Sequence, residues 1–211
     1  NPLCRNNKSH IMDFMDITHQ LASRLRELRT ACGFSLEVLA ERSQVSRSNI
    51  SLIERGESSP TAVVLDKLAN ALGVTLPALF DERVSDAATQ PSPLALVAEQ
   101  SVWTDPASGY VRRQLSPALP SPIQLVEVHF PAGQRVAYES SNRDSMVYQQ
   151  VWLIEGCMEI TVNGECRRLH AGDCLAMKLD SPIVYVNPTT EAAHYLVSLA
   201  TLSFVAVRGA R

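Results

Sequence analysis

The stretch "SLEVLAERSQVSRSNISLIER", Ser35 to Arg55, decides the first half of the molecule. Ser35 and Ser46 each precede a run of apolar residues at helical spacing. Serine is among the residues that cap helix N-termini, because its hydroxyl accepts a backbone N–H that the helix leaves unpaired. Two short helices are therefore predicted. Glu37 falls in the first turn of the first, where the helix dipole favours negative charge. The "SQVS" between them allows only a tight turn. Ala40 is small inside the first helix, Val45 is apolar in the bend, and Ile50 and Ile53 face inward on the second. That pattern lets two helices cross closely, as a helix-turn-helix requires. Any helical bundle can also contain such a pair.

The surroundings read as helix too. Ile17 to Cys32 places Leu21, Leu25, Leu28 and Cys32 on one face, and Gly33 ends the run. Gly56 stops the helix that Ser46 opens. Thr61 caps "TAVVLDKLANAL" with Gly73 behind it, and Thr75 opens a short "TLPALF". Five helices over residues 17–82 make a bundle. The segment before it, 1–16, has no long apolar run and reads as a disordered leader. "DERVSDAATQPSP", Asp81 to Pro93, is polar, small and proline-tipped, and reads as a linker, with its core at 83–93.

From residue 94 to 211 the period changes. "IQLVEVHF", "QVWLIEG", "MEITV", "ECRRLH", "CLAMK", "IVYVN" and "HYLVSLA" are short, β-branched or apolar segments. Turn chemistry separates them at Pro131-Ala132-Gly133, Asn163-Gly164, Ala171-Gly172-Asp173 and Asn187-Pro188. Many short strands at such spacing indicate a sandwich or barrel. "ITVNGECR" is a hairpin with Asn163-Gly164 as its two-residue turn. That register sets Thr161 opposite Cys166 and Cys157 opposite His170. "GDCLAMKLDSPIVYVN", Gly172 to Asn187, reads as two further strands joined at Ser181-Pro182. The fold class is thus α + β in two domains.

Composition narrows the classes. Of 211 residues, 45% are hydrophobic and 19% charged, so a packed core is expected and general disorder is not. The net charge of −3 argues against a protein that coats nucleic acid indiscriminately, but not against one that reads a short site. Residues 17–82 hold seven Lys and Arg against eight Asp and Glu. Phosphate affinity must then come from Arg42, Arg47, Arg55 and helix N-termini on one face, and one copy should bind weakly. No apolar run approaches the roughly 20 residues that span a bilayer. No membrane partner is expected, and the cytoplasm is the expected location. The five cysteines, Cys4, Cys32, Cys157, Cys166 and Cys174, are odd in number and contain no C-x-x-C. Reduced, buried thiols are expected, with a redox sensor as the lesser reading.

Two resemblances sharpen this. Ser23 to Phe80 resembles the Xre-type, phage-repressor-like helix-turn-helix family. The "G-x-S-x-x-x-L-A" start, the "S-x-x-x-I-S-x-I-E-R-G-E-S-S-P" middle and the "L-x-x-L-A-x-A-L-G-V" tail stand in register. The resemblance implies a double-stranded DNA operator, with the helix after Ser46 entering the major groove. Arg47 would fork onto a guanine edge, Ser48 would bond a base or phosphate, Leu52 would meet a thymine methyl, and Asn49 would take either. Ser35, Ser46, Arg55, Ser58 and Ser59 would face phosphates. Arg29 and Glu54 match a buried ion pair of that family.

Val126 to Leu199 resembles the cupin superfamily, a double-sheet jelly-roll barrel. Its first motif runs glycine, His-x-His, glutamate, glycine. Here Gly133 and Gly156 fit the ends, "SSNRDS" holds no histidine, and Gln149 takes the glutamate's place. In the second motif Gly172, Pro182 and Asn187 remain, and Ile183 replaces the histidine. Imidazoles and carboxylates converging on one point are absent, so neither catalytic residues, nor a metal, nor a cofactor is expected in the barrel. His129, His170 and His194 show no ligand spacing, and His194 alone could point inward. Strand parity places Gln149, Val151 and Leu153 on one face, and Ile183, Tyr185 and Asn187 on another. With Tyr138, Arg143, Tyr148 and Met177 at the rim, these residues would line a pocket for a small, anionic effector; alternatively Met177 and Tyr185 simply fill the core. The combined layout implies a homodimeric transcriptional regulator, read as a repressor that responds to a small molecule. A DNA-tethered cupin enzyme and a barrel that only dimerises are the alternatives.

Overall fold

Ser35, Ser46 and Thr61 each have extended backbone, and each side-chain oxygen accepts the amide three residues on, from Val38, Asn49 and Val64 at 3.2, 3.3 and 3.3 Å. These caps fix where three helices begin. The computed structural model describes residues 7–80, 92–139 and 146–202. Its helical part contains α1 (Asn7–Ala31), α2 (Leu36–Ser43), α3 (Arg47–Glu54) and α4 (Ala62–Ala71). Leu21, Leu25, Leu39, Ile50, Ile53, Leu65 and Leu68 form its buried centre, and Val45 fills the α2–α3 turn as the sequence implies. Gln44 makes that turn in the left-handed conformation, φ 55°.

Two expectations fail here. The helix starts at Asn7, so residues 7–16 of the supposed leader are helical. "IMDFM" places Ile11, Phe14 and Met15 at the same i, i+3, i+4 spacing as the residues after them, and nothing breaks the run. The fifth helix is only a 3-10 turn, Pro77–Leu79, with no side-chain cap. Thr75, expected to open it, donates its hydroxyl instead to Gln124 Oε1 at 3.0 Å, across to the second domain.

Among the described residues the second domain has ten strands: β1 (Val102–Thr104), β2 (Val111–Gln114), β3 (Ile123–Phe130), β4 (Arg135–Tyr138), β5 (Met146–Glu155), β6 (Cys157–Val162), β7 (Glu165–His170), β8 (Cys174–Lys178), β9 (Ile183–Val186) and β10 (Ala193–Leu202). They form a six-stranded sheet, β1-β2-β3-β10-β5-β8, facing a four-stranded one, β4-β9-β6-β7. Every pairing is antiparallel. The Asn163-Gly164 hairpin has the deduced register, Thr161 opposite Cys166 and Cys157 opposite His170. β8 and β9, however, are not a hairpin. β8 pairs with β5 and β9 with β4 and β6, so the Ser181-Pro182 bend carries the chain from one sheet to the other. The Pro182 carbonyl accepts the Asn163 amide there (3.1 Å). At Gly156, φ is +85°, and a Cβ would stand 3.0 Å from the Ala192 carbonyl oxygen, so only glycine fits this bend. The described cysteines are free thiols, but they are not buried. Cys166 and Cys174 lie exposed on outward-facing or edge positions, Cys32 is exposed just past α1, and Cys157 is half-buried.

The two domains share one core. The β1–β2 loop reaches under α4, where the Asp105 carboxylate, 2% exposed, accepts the Ala62 amide at 2.9 Å. Its other oxygen accepts the Ser108 amide and hydroxyl at 2.9 and 2.5 Å. A ladder of rings runs from the helices into the barrel, Phe80 to Trp103 to Tyr110 to Phe130, with centroids 5.6, 5.8 and 5.7 Å apart. Lys67 on α4 pairs with Glu139 beside β4 at 3.2 Å.

Candidate functional site: a reading helix and a cavity at the domain junction

α3 is amphipathic in a useful way. Ile50, Ile53 and Glu54 face the core, which leaves Arg47, Ser48 and Leu52 exposed on one outward face, with Asn49 half-buried beside them. Leu52 is 37% exposed, a large apolar group facing water on a short helix. The α2 cap Ser35 and the α3 cap Ser46 are exposed at helix N-termini, where free amides attract anions. Ser58 and Ser59 are half-buried after α3. The face also carries two arginines already engaged with exposed carboxylates. Arg47 meets Glu37 at 2.9 Å, and Arg55 meets Glu57 at 2.8 Å. The Glu37 carboxyl is held below its ordinary range by its own backbone amide, then by Ser35 and Arg47. Such exposed pairs contribute little to stability and exchange readily for a stronger anion. Behind this face, Arg29 grips Glu54 with two bonds of 2.7 and 2.8 Å and reaches the Phe34 carbonyl at 2.9 Å. Arg26 holds the Glu54 carbonyl at 2.8 Å. The pair locks α1 to α3 and fixes the angle at which α3 is presented. The Glu54 hydrogen bond also raises the Arg29 pKa above its ordinary value.

The barrel interior is hollow. A cavity of about 110 Å³ opens at the domain junction. That is comparable with the roughly 150 Å³ apolar cavity that admits benzene. Its apolar wall includes Val126, Val128, Phe130 and Leu199, and Asp66, Leu76 and Pro77 reach it from the helical domain. Tyr138, Gln149, Ile183 and Tyr185, expected there, all line it. Gln149 donates to the Tyr185 hydroxyl at 2.5 Å, bridging the two sheets, and the Tyr110 and Tyr138 hydroxyls lie 3.1 Å apart. Loss of water raises the Tyr110, Tyr185 and Tyr195 phenols above their ordinary range, so they stay neutral at physiological pH.

Other expected members do not join them. Tyr148 is 41% exposed on the outer face of β5, because it is one residue out of phase with inward Gln149. Met177 is buried opposite Gln149 in the register, yet it packs in the core and does not line the cavity. Arg143 lies outside the described residues. Asn187 is fully buried, but its amide holds the Phe130 and Glu191 carbonyls at 3.3 and 2.7 Å, which closes the barrel end.

Sequence reading missed the cation of this site. Arg112 on β2 is 5% exposed, lines the cavity and stacks its guanidinium 4.8 Å above Phe80. "YVRRQ" does not resemble a strand, but its alternation was a signal: Arg112 and Gln114 point inward, Val111 and Arg113 outward. The inward position open to His194 is not the one it takes. His194 points away from the cavity. The β3–β10 register sets it directly across from His129, with ring centroids 4.3 Å apart, and its Nε2 lies 3.0 Å from Glu127 Oε1. Ligand spacing in the linear sequence does not reveal a group assembled across strands. Among the described residues lining the cavity itself there is no histidine or cysteine.

Comparison with known proteins agrees with this anatomy. Residues 20–82 match a helix-turn-helix domain family, HTH_31. The HTH-type transcriptional regulator SutR of Escherichia coli is 29% identical over 177 residues, covering 83% of this chain and 91% of that protein. The uncharacterized HTH-type transcriptional regulator y4dJ of Sinorhizobium fredii is 38% identical over 61 residues, covering 29% of this chain and 79% of that one. The crystal structure of an HTH_3 family transcriptional regulator from Vibrio cholerae superimposes with a TM-score of 0.68 over 90% of this chain and 99% of its own, at 23% identity. No described helix is long and apolar enough to cross a membrane. With its capped α2–α3 unit and the Arg29–Glu54 lock behind it, the chain belongs to the helix-turn-helix transcriptional regulators, here with a two-sheet antiparallel β domain attached.

Proposed function

We propose that this DNA-binding regulator is a ligand-responsive repressor acting in the cytoplasm, in which a small molecule held at the domain junction alters operator affinity. One observation carries the reading. The cavity is lined by both domains, so an occupant touches the barrel through Tyr110, Arg112 and Gln149 and the helical domain through Asp66, Leu76 and Pro77. A ligand shifts an equilibrium only by its differential affinity for two arrangements. One that contacts both domains gains or loses contacts whenever they move relative to each other. Arg112, Gln149 and the neutral tyrosine hydroxyls suit a carboxylate or similar anion of a few heavy atoms. Among the described residues the lining holds no imidazole or thiolate, which favours a sensor over a metal-dependent cupin enzyme.

Operator reading falls to Arg47, Ser48, Asn49 and Leu52, with Ser35, Ser46, Arg55, Ser58 and Ser59 on phosphates. A weakly charged head needs a second copy to bind tightly. The outer face of the six-stranded sheet suits that role. Ile123 and Leu125 on β3, Tyr148 and Trp152 on β5, and Leu202 on β10 are all exposed there, Trp152 by 48%. A two-fold dimer through this face would cover them and read half-sites about one helical turn apart, or a multiple of it.

Three outcomes are expected. Arg47→Ala weakens operator binding by about 1–3 kcal/mol and relaxes one base position; unchanged affinity and an unchanged footprint would remove Arg47 from the reading role. Trp152→Glu yields monomers in sedimentation equilibrium and a matching loss of operator affinity; a chain that stays dimeric places the interface elsewhere. In a thermal-shift screen of the full chain, a small anionic metabolite raises the unfolding midpoint and changes operator affinity about 5–150-fold. Gln149→Leu blunts both effects. No stabilising compound in the screen, or an undiminished response in that variant, contradicts the pocket.

A further inference from the structure

The outer face of the six-stranded sheet carries a second cluster, at the far end of β3 and β10 from Ile123 and Leu202. Glu127 and His129 are two apart on β3 and therefore project on the same side. His194 lies across from His129 on β10. One donor atom from each of the three falls within 4.8 Å of the others. β3 and β10 are both interior strands of the sheet, flanked by β2 and β5, so the three Cα positions are held by ladders on both sides. Glu127 uses its two oxygens separately. Oε1 faces His194 at 3.0 Å, while Oε2 faces the Arg113 guanidinium at 3.5 Å.

We propose that Glu127, His129 and His194 form a binding site for a divalent transition cation of the zinc class, separate from the junction cavity. Two imidazoles and one carboxylate are the donor types that a borderline-soft cation prefers, and three protein ligands leave a fourth position to water. Zinc-to-ligand distances near 2.0–2.1 Å put tetrahedral donors roughly 3.4 Å apart. One separation already meets this. Closure of the rest asks only a turn of the exposed His129 ring out of its stack on His194. Arg113 then acts behind the ligand, orienting the carboxylate through its outer oxygen. Placement on strands gives the precision that loop sites lack. A cation here ties β3 to β10 and stiffens the barrel without touching the cavity.

The test uses tag-free full-length chain stripped with chelator. Zinc chloride titrated in a calorimeter should bind at one equivalent per chain, and cobalt chloride should give the visible absorption of a tetrahedral site. The double variant H129Q/H194Q should lose both signals while its metal-free unfolding midpoint matches the parent's. Glu127→Gln should weaken binding about tenfold or more. A chain with all five cysteines changed to serine should bind as the parent does, since the exposed thiols are the competing donors. Absence of binding, or survival in H129Q/H194Q, or loss in the cysteine-free chain overturns the proposal and leaves Glu127, His194 and Arg113 as a surface ion network only.

Discussion

The buried carboxylate of Asp105 is the constraint on which the arrangement turns. An ionised carboxylate out of water is costly unless hydrogen bonds and a favourable field replace its hydration. Here the Ala62 amide at the α4 N-terminus and the Ser108 amide and hydroxyl supply three donors. The helix dipole adds its positive end. The carboxylate belongs to the barrel and the helix to the reading domain, so the Ala62 bond ties one domain to the other. The Phe80–Trp103–Tyr110–Phe130 ladder and the Thr75–Gln124 bond follow the same seam. Two domains that the sequence separates by a polar linker are thus joined through buried groups of both.

That seam places the cavity. The two facing sheets enclose a hollow that apolar and polar groups line together. Gln149 bridges to Tyr185 inside it, and Arg112 brings a cation beside the Phe80 ring. Asp66, Leu76 and Pro77 of the helical domain complete its lining. On the opposite side of the six-stranded sheet, strand alternation turns Glu127, His129 and His194 outward.

Much of this was legible in the residues. The caps at Ser35, Ser46 and Thr61 gave three helix starts, because a capping hydroxyl acts within four residues. The Asn163-Gly164 register was readable for the same local reason, since a two-residue turn dictates its pairing. Alternation groups Gln149 with Val151 and Leu153 on one face and Ile183 with Tyr185 on another, and the resemblance to cupins points those faces inward. What failed depended on distant partners. Gly172 to Asn187 looked like a hairpin, but its strands belong to different sheets, and no local signal separates a hairpin turn from a sheet-crossing bend. Thr75 looked like a cap, and Gln124, 49 residues on, claims its hydroxyl. Arg112 was passed over because two adjacent arginines suggest solvent, while Phe80 from the other domain covers the first. A rim position for Tyr148 runs against its own parity with Gln149.

The central claim is that the reading head and the barrel are one cooperative unit joined at the Asp105–α4 seam. Scanning calorimetry of the full chain tests it most directly. The account predicts a single endotherm whose calorimetric and van't Hoff enthalpies agree, and whose midpoint falls as one peak in Asp105→Ala. Two resolved endotherms in the parent chain, one per domain, would contradict it.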